Sequence, residues 1–168
     1  MLEFRLARTT PVHFFGVFER ASHVSMTPSI PLHQHNDRLE WSVLYLLQLA
    51  RYSYALSFVN PSLVCAAAFC LARATLRLQE DGQVWSPTLE YYTGYSTKEL
   101  KETVYILYKL QLSTDETETV YKRFESELRG RASRVMPLRL EDLNRAFGWM
   151  EDEADYCYDV LVDDVIEC

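Results

Sequence analysis

The chain has 168 residues, 48% hydrophobic and 24% charged, with only five glycines and six prolines. That is the size of one globular domain, with too few turn residues for a sandwich or barrel and too many aromatics (13%) for wholesale disorder. The net charge of −7 is uneven: residues 141–168 hold ten acidic residues and one basic (1 − 10 = −9), whereas residues 1–140 hold sixteen basic and fourteen acidic (16 − 14 = +2). A near-neutral body argues against a nucleic-acid surface. The longest apolar run, the ten residues Leu63 to Ala72, is about half of what a bilayer span requires, so a membrane is not an expected partner either.

Along the chain, Met1 to Leu6 carries no secretory apolar core. Thr10-Pro11 opens a helix expected over 11–22: the threonine can accept from free backbone N–H groups, and proline at the first helical position gives up a donor that had no partner. Ser25 to Asn36, with Pro28, Pro31 and no apolar period, reads as a loop. A weak capping sequence, Asp37-Arg-Leu-Glu40, then starts an amphipathic helix over 37–57, with Leu39, Val43, Leu46, Leu47 and Ala50 on one face.

Asn60-Pro61 repeats the acceptor–proline device and opens a helix over 61–78. Within it Leu63 to Ala72 is apolar on every face and four of its ten residues are alanine, so other elements must surround it closely. Ser86-Pro87 opens a short helix over 87–93, and Gly94 follows where a left-handed C-terminal turn is cheapest for glycine. Ser96-Thr-Lys-Glu99 has capping-box form and opens 97–112; Ser113-Thr-Asp-Glu116 repeats that form ahead of a helix over 115–128. Arg129 to Pro137 is a basic link to a last helix, 140–150, that either runs on to the C-terminus or breaks near Asp152. The expected fold is all-α: a compact helical bundle around the central apolar helix 61–78, plus an acidic amphipathic C-terminal helical segment. The division expected is 1–136 and 137–168.

Several of these pieces, in this order and with these gaps, resemble one family. Asn60-Pro-Ser-Leu-Val-Cys-Ala-Ala-Ala-Phe-Cys-Leu-Ala-Arg73 resembles the central helix of the C-terminal cyclin box. Trp85-Ser-Pro-Thr-Leu-Glu-Tyr-Tyr-Thr-Gly-Tyr-Ser96 is similar to the tryptophan, short helix and Thr-Gly-Tyr turn of mitotic A/B-type cyclins, and Lys98 to Lys101 continues it. Leu2 to Leu6 and Thr10 to Phe15 are similar to the join between a cyclin's two boxes, and Tyr121-Lys-Arg-Phe124 to the segment closing the second. The resemblance covers about residues 1–136 and makes Pro61, Ala66, Ala67, Trp85, Gly94 and Tyr95 structural motif residues rather than contact residues.

The resemblance implies a cell-cycle regulatory subunit of a cyclin-dependent protein kinase, not an enzyme, with no cofactor, found in nucleus and cytoplasm. Nothing in the chain is similar to the N-terminal box, whose lysine–glutamate pair and hydrophobic docking patch carry kinase activation. The chain is therefore expected to be the C-terminal part of a longer cyclin, meeting the kinase through the full-length protein and resting on the N-terminal box of the same chain. The alternatives are a single-box scaffold that binds a partner through its acidic tail, or a transcription-factor-like adaptor of the same fold.

Other chemistry is sparse. His13, His23, His33 and His35 lack neighbouring ligands that would complete a metal site, and no nucleophile motif or phosphate-binding glycine loop is present. Cys65, Cys70, Cys157 and Cys168 fit no zinc spacing and read as reduced thiols. Arg73-Ala-Thr-Leu76 has the form of a mitotic degradation signal, but it falls inside the central helix. In the acidic end, Trp149, Tyr156, Asp159, Asp163 and Asp164 are candidate partner-binding residues; the same mixture suits an apolar stripe docked on the chain's own bundle. Arg129, Arg131, Arg134 and Arg139 stand as a possible counter-charge.

Overall fold

The computed structural model describes residues 9–25, 32–78, 83–116 and 118–149, with the backbone alone at 23–25 and 32–36. Among these residues the chain forms α1 (Val12–Ser25), α2 (Leu32–Ala50), α3 (Pro61–Thr75), α4 (Pro87–Thr93), α5 (Thr97–Ser113), α6 (Thr119–Phe124) and α7 (Leu140–Phe147), with short 3-10 turns at Ala55–Ser57, Glu127–Arg129 and Ala132–Arg134, and no β-strand. The all-α expectation holds.

α3 is the axis of the bundle. Every residue from Val64 to Ala74 is buried, and α1, α2 and α5 pack around it while α4 lies against α1. The alanines are the reason this works: at Ala66, Ala67, Ala68 and Ala72 nothing projects far enough to hold a neighbour away. The larger side chains come from the surrounding helices, Phe15 and Phe18 from α1, Leu39, Val43 and Leu46 from α2, and Leu100, Val104 and Leu107 from α5. A second, smaller cluster joins Tyr45 and Leu49 of α2 to Val120 and Phe124 of α6 and to Ala132. α7 closes onto the main core through Leu143, with Leu138, Leu140 and Phe147 packed around it.

The local start signals act as read. Asn60 accepts from the Ser62 N–H at 3.2 Å, with Pro61 in the first turn. Ser86 accepts from Leu89 N–H at 3.4 Å. At Ser96 the capping box is complete: its N–H donates to Glu99 Oε2 at 2.8 Å, and its Oγ accepts from the Glu99 N–H. Thr10 behaves differently, since its hydroxyl meets the His13 ring nitrogen at 2.8 Å.

Helix boundaries depart from the expectation in several places. α1 runs on to Ser25, past the expected 22 and into the stretch read as a loop. α2 is already helical at Leu32, so Asp37 is not its start; His33 to Asp37 carries no apolar period that could signal a helix, and 26–31 lie outside the described residues. α2 ends at Ala50 rather than near 57. There the ladder tightens to i→i+3 bonds, and Ser53, buried, accepts from Leu56 N–H to start a new turn that sends Leu56 inward. α3 stops at Thr75, not 78, in a Schellman turn: Leu78 N–H bonds to Arg73 C=O and Arg77 N–H to Ala74 C=O, with Arg77 itself left-handed at φ 56°.

The Ser113 to Glu116 repeat is not a helix start. Thr114 is the C-cap of α5, its hydroxyl donating to Leu110 C=O at 2.6 Å, and α6 begins only at Thr119 and ends at Phe124. α7 ends at Phe147, three residues before the expected 150, because Gly148 (φ 66°) closes another Schellman turn with the Trp149 N–H bonded to Asn144 C=O at 2.9 Å.

Candidate functional site

The motif residues converge on one end of α3. The Trp85 indole Nε1–H donates to Tyr95 C=O at 2.9 Å, spanning α4 and the left-handed Gly94 (φ 74°) between them. The Tyr95 hydroxyl in turn meets Ser62 Oγ at 2.6 Å, and Ser62 is held by the Asn60 cap. One hydrogen-bonded line thus runs from Asn60 through Ser62 and Tyr95 to Trp85, with Trp85 only 5% exposed. Pro61 occupies the first turn of α3, and Ala66 and Ala67 are fully buried further along it. This cluster ties α4 to the bundle and offers no reacting group to a ligand.

A concave surface lies elsewhere. A cleft of about 810 Å³ is bounded by the approach to α1 (Thr10, Pro11), the outer side of α2 (Trp41, Leu44, Leu47) and Phe124 of α6. It continues into a smaller one of about 300 Å³ that shares Gln48, Arg51, Arg123 and Phe124. The floor is apolar; the edge carries Arg51, Arg123 and Arg129, and no acidic side chain among the described residues lines either part. The Arg129 guanidinium sits 5.7 Å over the Phe124 ring. Beside the groove Tyr52, Tyr54 and Phe58 stand 71%, 78% and 74% exposed, the last two in edge contact at 4.9 Å.

Sequence reasoning placed no site here, because the lining comes from helices far apart in the chain.

The chemical candidates resolve individually. Among the described residues no group of three or more His, Cys, Asp or Glu could hold a metal ion. Cys65 and Cys70 are fully buried free thiols; burial pushes Cys65 up to about 12 and raises Cys70 as well, which removes nucleophilic character. Arg73 is wholly buried, its Nε donating to Val84 C=O at 3.0 Å, so Arg73 to Leu76 cannot be presented as an extended peptide. No described helix is long and apolar enough to cross a membrane.

Of the acidic-end candidates, only Trp149 is described; Tyr156, Asp159, Asp163 and Asp164, with Cys157 and Cys168, lie outside the described residues. Trp149 is 8% exposed, stacked on Phe147 at 4.6 Å and tilted against Tyr105 at 5.3 Å. The Tyr105 hydroxyl beside it donates to the buried Asn144 side chain. The linking arginines have local partners: Arg131 with Glu127, Arg134 with Glu125, and Arg139 with Asp142 at 3.1 Å. These pairs are exposed and contribute about 0–1 kcal/mol each.

Comparison with known proteins places this geometry. Residues 9–138 match the family model for the cyclin C-terminal domain. Cyclin-A2-3 of Arabidopsis thaliana is 35% identical over 112 residues, 66% of this chain and 23% of the relative. Cyclin-A2-2 of the same plant is 36% identical over 113 residues, 67% of this chain and 24% of the relative. Cyclin-B1-3 of Oryza sativa subsp. japonica is 33% identical over 106 residues, 62% of this chain and 22% of the relative. The chain thus spans about a quarter of the length of these relatives. No solved structure matches it.

Proposed function

Since the chain belongs to the cyclin family through its C-terminal domain, we propose that it acts as the C-terminal module of a cell-cycle regulatory subunit, in the manner of an A- or B-type cyclin, with a cyclin-dependent kinase as the eventual partner. Its role is structural and regulatory rather than catalytic. The observation that carries this reading is that the family match, residues 9–138, takes in α1 to α6, whose buried core uses the same residues that carry the resemblance. A module of this kind supplies a preformed, rigid surface and leaves chemistry to its partner.

The test is a chimera. Residues 9–138 replace the corresponding domain of an A-type cyclin, and phosphorylation of a peptide by a cyclin-dependent kinase is measured. The chimera is expected to support activity and the 168-residue chain alone to support none. A chimera that folds and binds the kinase but leaves it inactive counts against the proposal. So does clear activation by the isolated chain.

A further inference from the structure

We infer that the groove between α1, α2 and α6 is the docking site of the chain's own acidic tail, residues 150–168. Two properties of the groove select an occupant. Its floor is apolar and aromatic, formed by Trp41, Leu44 and Phe124, and its edge carries Arg51, Arg123 and Arg129 with no lining carboxylate among the described residues. In a chain with 24 acidic and 17 basic residues this is an unusual concentration of cations. None of the three guanidiniums has a carboxylate partner among the described residues: Arg51 reaches the Gln48 amide at 3.3 Å, and Arg129 lies on Phe124 and the Arg123 carbonyl. Their neighbours Arg131, Arg134 and Arg139, by contrast, are all paired.

The tail has the complementary chemistry. Residues 150–168 contain eight carboxylates and no basic residue, interleaved with Tyr156, Val160, Leu161 and Val165. Aromatic and aliphatic side chains suit the floor and carboxylates suit the edge. Bidentate arginine–carboxylate contacts are among the stronger charge-assisted hydrogen bonds and add geometric specificity. Reach is no obstacle: nineteen residues extend up to about 60 Å, against a radius of gyration of about 15 Å for a domain this size. Tethering at Trp149 also raises the tail's effective concentration to the ~mM range, so even a weak contact is populated.

The test uses the full chain. Cys65 and Cys70 are 0% exposed, so a nitroxide can be placed on Cys157 in a Cys168→Ser background. Loss of amide signal is then read by NMR. The expected result is selective loss at Gln48, Arg51, Arg123 and Phe124, recovered by Arg51→Glu with Arg123→Glu, and recovered in the unaltered groove at 1 M salt, where screening shortens to ~3 Å. Loss confined to another face, such as Tyr91 and Tyr92, overturns the inference, as does no localised loss at all. Loss appearing only when labelled and isotope-enriched molecules are mixed also overturns it, because the occupant is then a second copy.

Discussion

Trp85 reaches across ten residues to donate its indole hydrogen bond to Tyr95 C=O at 2.9 Å, and Tyr95 passes the connection to Ser62 at 2.6 Å. The short helix α4 is too brief to be stable alone, so these two bonds and the buried faces of Trp85 and Leu89 hold it. Trp85→Phe keeps most of the ring but leaves the carbonyl without its donor, and is expected to lower unfolding free energy by about 1–3 kcal/mol. Tyr95→Phe, which removes the Ser62 contact, should cost about 0.5–1.5 kcal/mol. Urea denaturation of both variants measures this; equal stability to the parent chain would mean that α4 is held by packing alone.

Two left-handed positions respond in opposite directions. Gly94 sits at φ 74° with nothing within 4 Å of an added Cβ, so Gly94→Ala costs only its backbone strain, about 1–2 kcal/mol. Arg77 already bears that strain at φ 56° as the turn residue of α3. Arg77→Gly relieves it against a more flexible unfolded chain, for a net gain of about 0.5–1 kcal/mol. The pair of melting temperatures should therefore move apart from the parent value, one down and one up.

At the C-terminal end, the burial of Trp149 against Tyr105 and Phe147 makes it a stability determinant. Trp149→Ala is expected to cost about 3 kcal/mol, and Tyr105→Phe, which strands the buried Asn144 amide, about 1–3 kcal/mol. A Trp149→Ala protein as stable as the parent would show that the indole contributes nothing to the bundle.

The buried thiols give a pH signature. Burial raises Cys65 to about 12 and Cys70 also upward from the ordinary value of 9.0, so in the window above about pH 9 the unfolded chain has lost protons that the native chain retains. Their contribution is fully present below pH 9 and declines as pH rises toward 12. Denaturation midpoints should fall as pH rises from about 9 toward 12, with a shallower decline in Cys65→Ala. Native Cys65 and Cys70 should also resist alkylation until urea is added.

At the other end of the scale, hydrogen bonds from the Ser96 side chain and backbone hold Glu99 below its usual range. The capping contribution is present above the ordinary carboxylate pKa and is lost as acid protonates Glu99. Ser96→Ala removes the acceptor for the helix N–H and should flatten that acid limb of a pH–stability curve.

Features set by neighbours in the chain were legible. Asn60-Pro61, Ser86-Pro87, Gly94 and the Ser96–Glu99 box each depend on a bond spanning two to four residues, so residue type and spacing suffice. The same is true of α3, whose ten apolar residues leave burial on all sides as the one solution. Where a local motif competed with a longer-range demand, the motif misled. Ser113 to Glu116 has the form of a helix start, yet Thr114 is engaged by Leu110 as the end of α5.

The sequence by itself determined that this chain is a helical bundle around an alanine-rich axis, and which family it belongs to, because capping chemistry and the apolar period are properties of short segments. Tertiary structure alone decided where α2 breaks, since Ser53 and Leu56 turn inward only when a core is there to receive them. It likewise decided that Arg51, just past the end of α2, and Arg123 near the end of α6, 72 positions apart, share the edge of one groove with no lining carboxylate among the described residues. A charge count along the chain shows seven excess negatives; only the packing of α2 on α6 gathers the cations on one face.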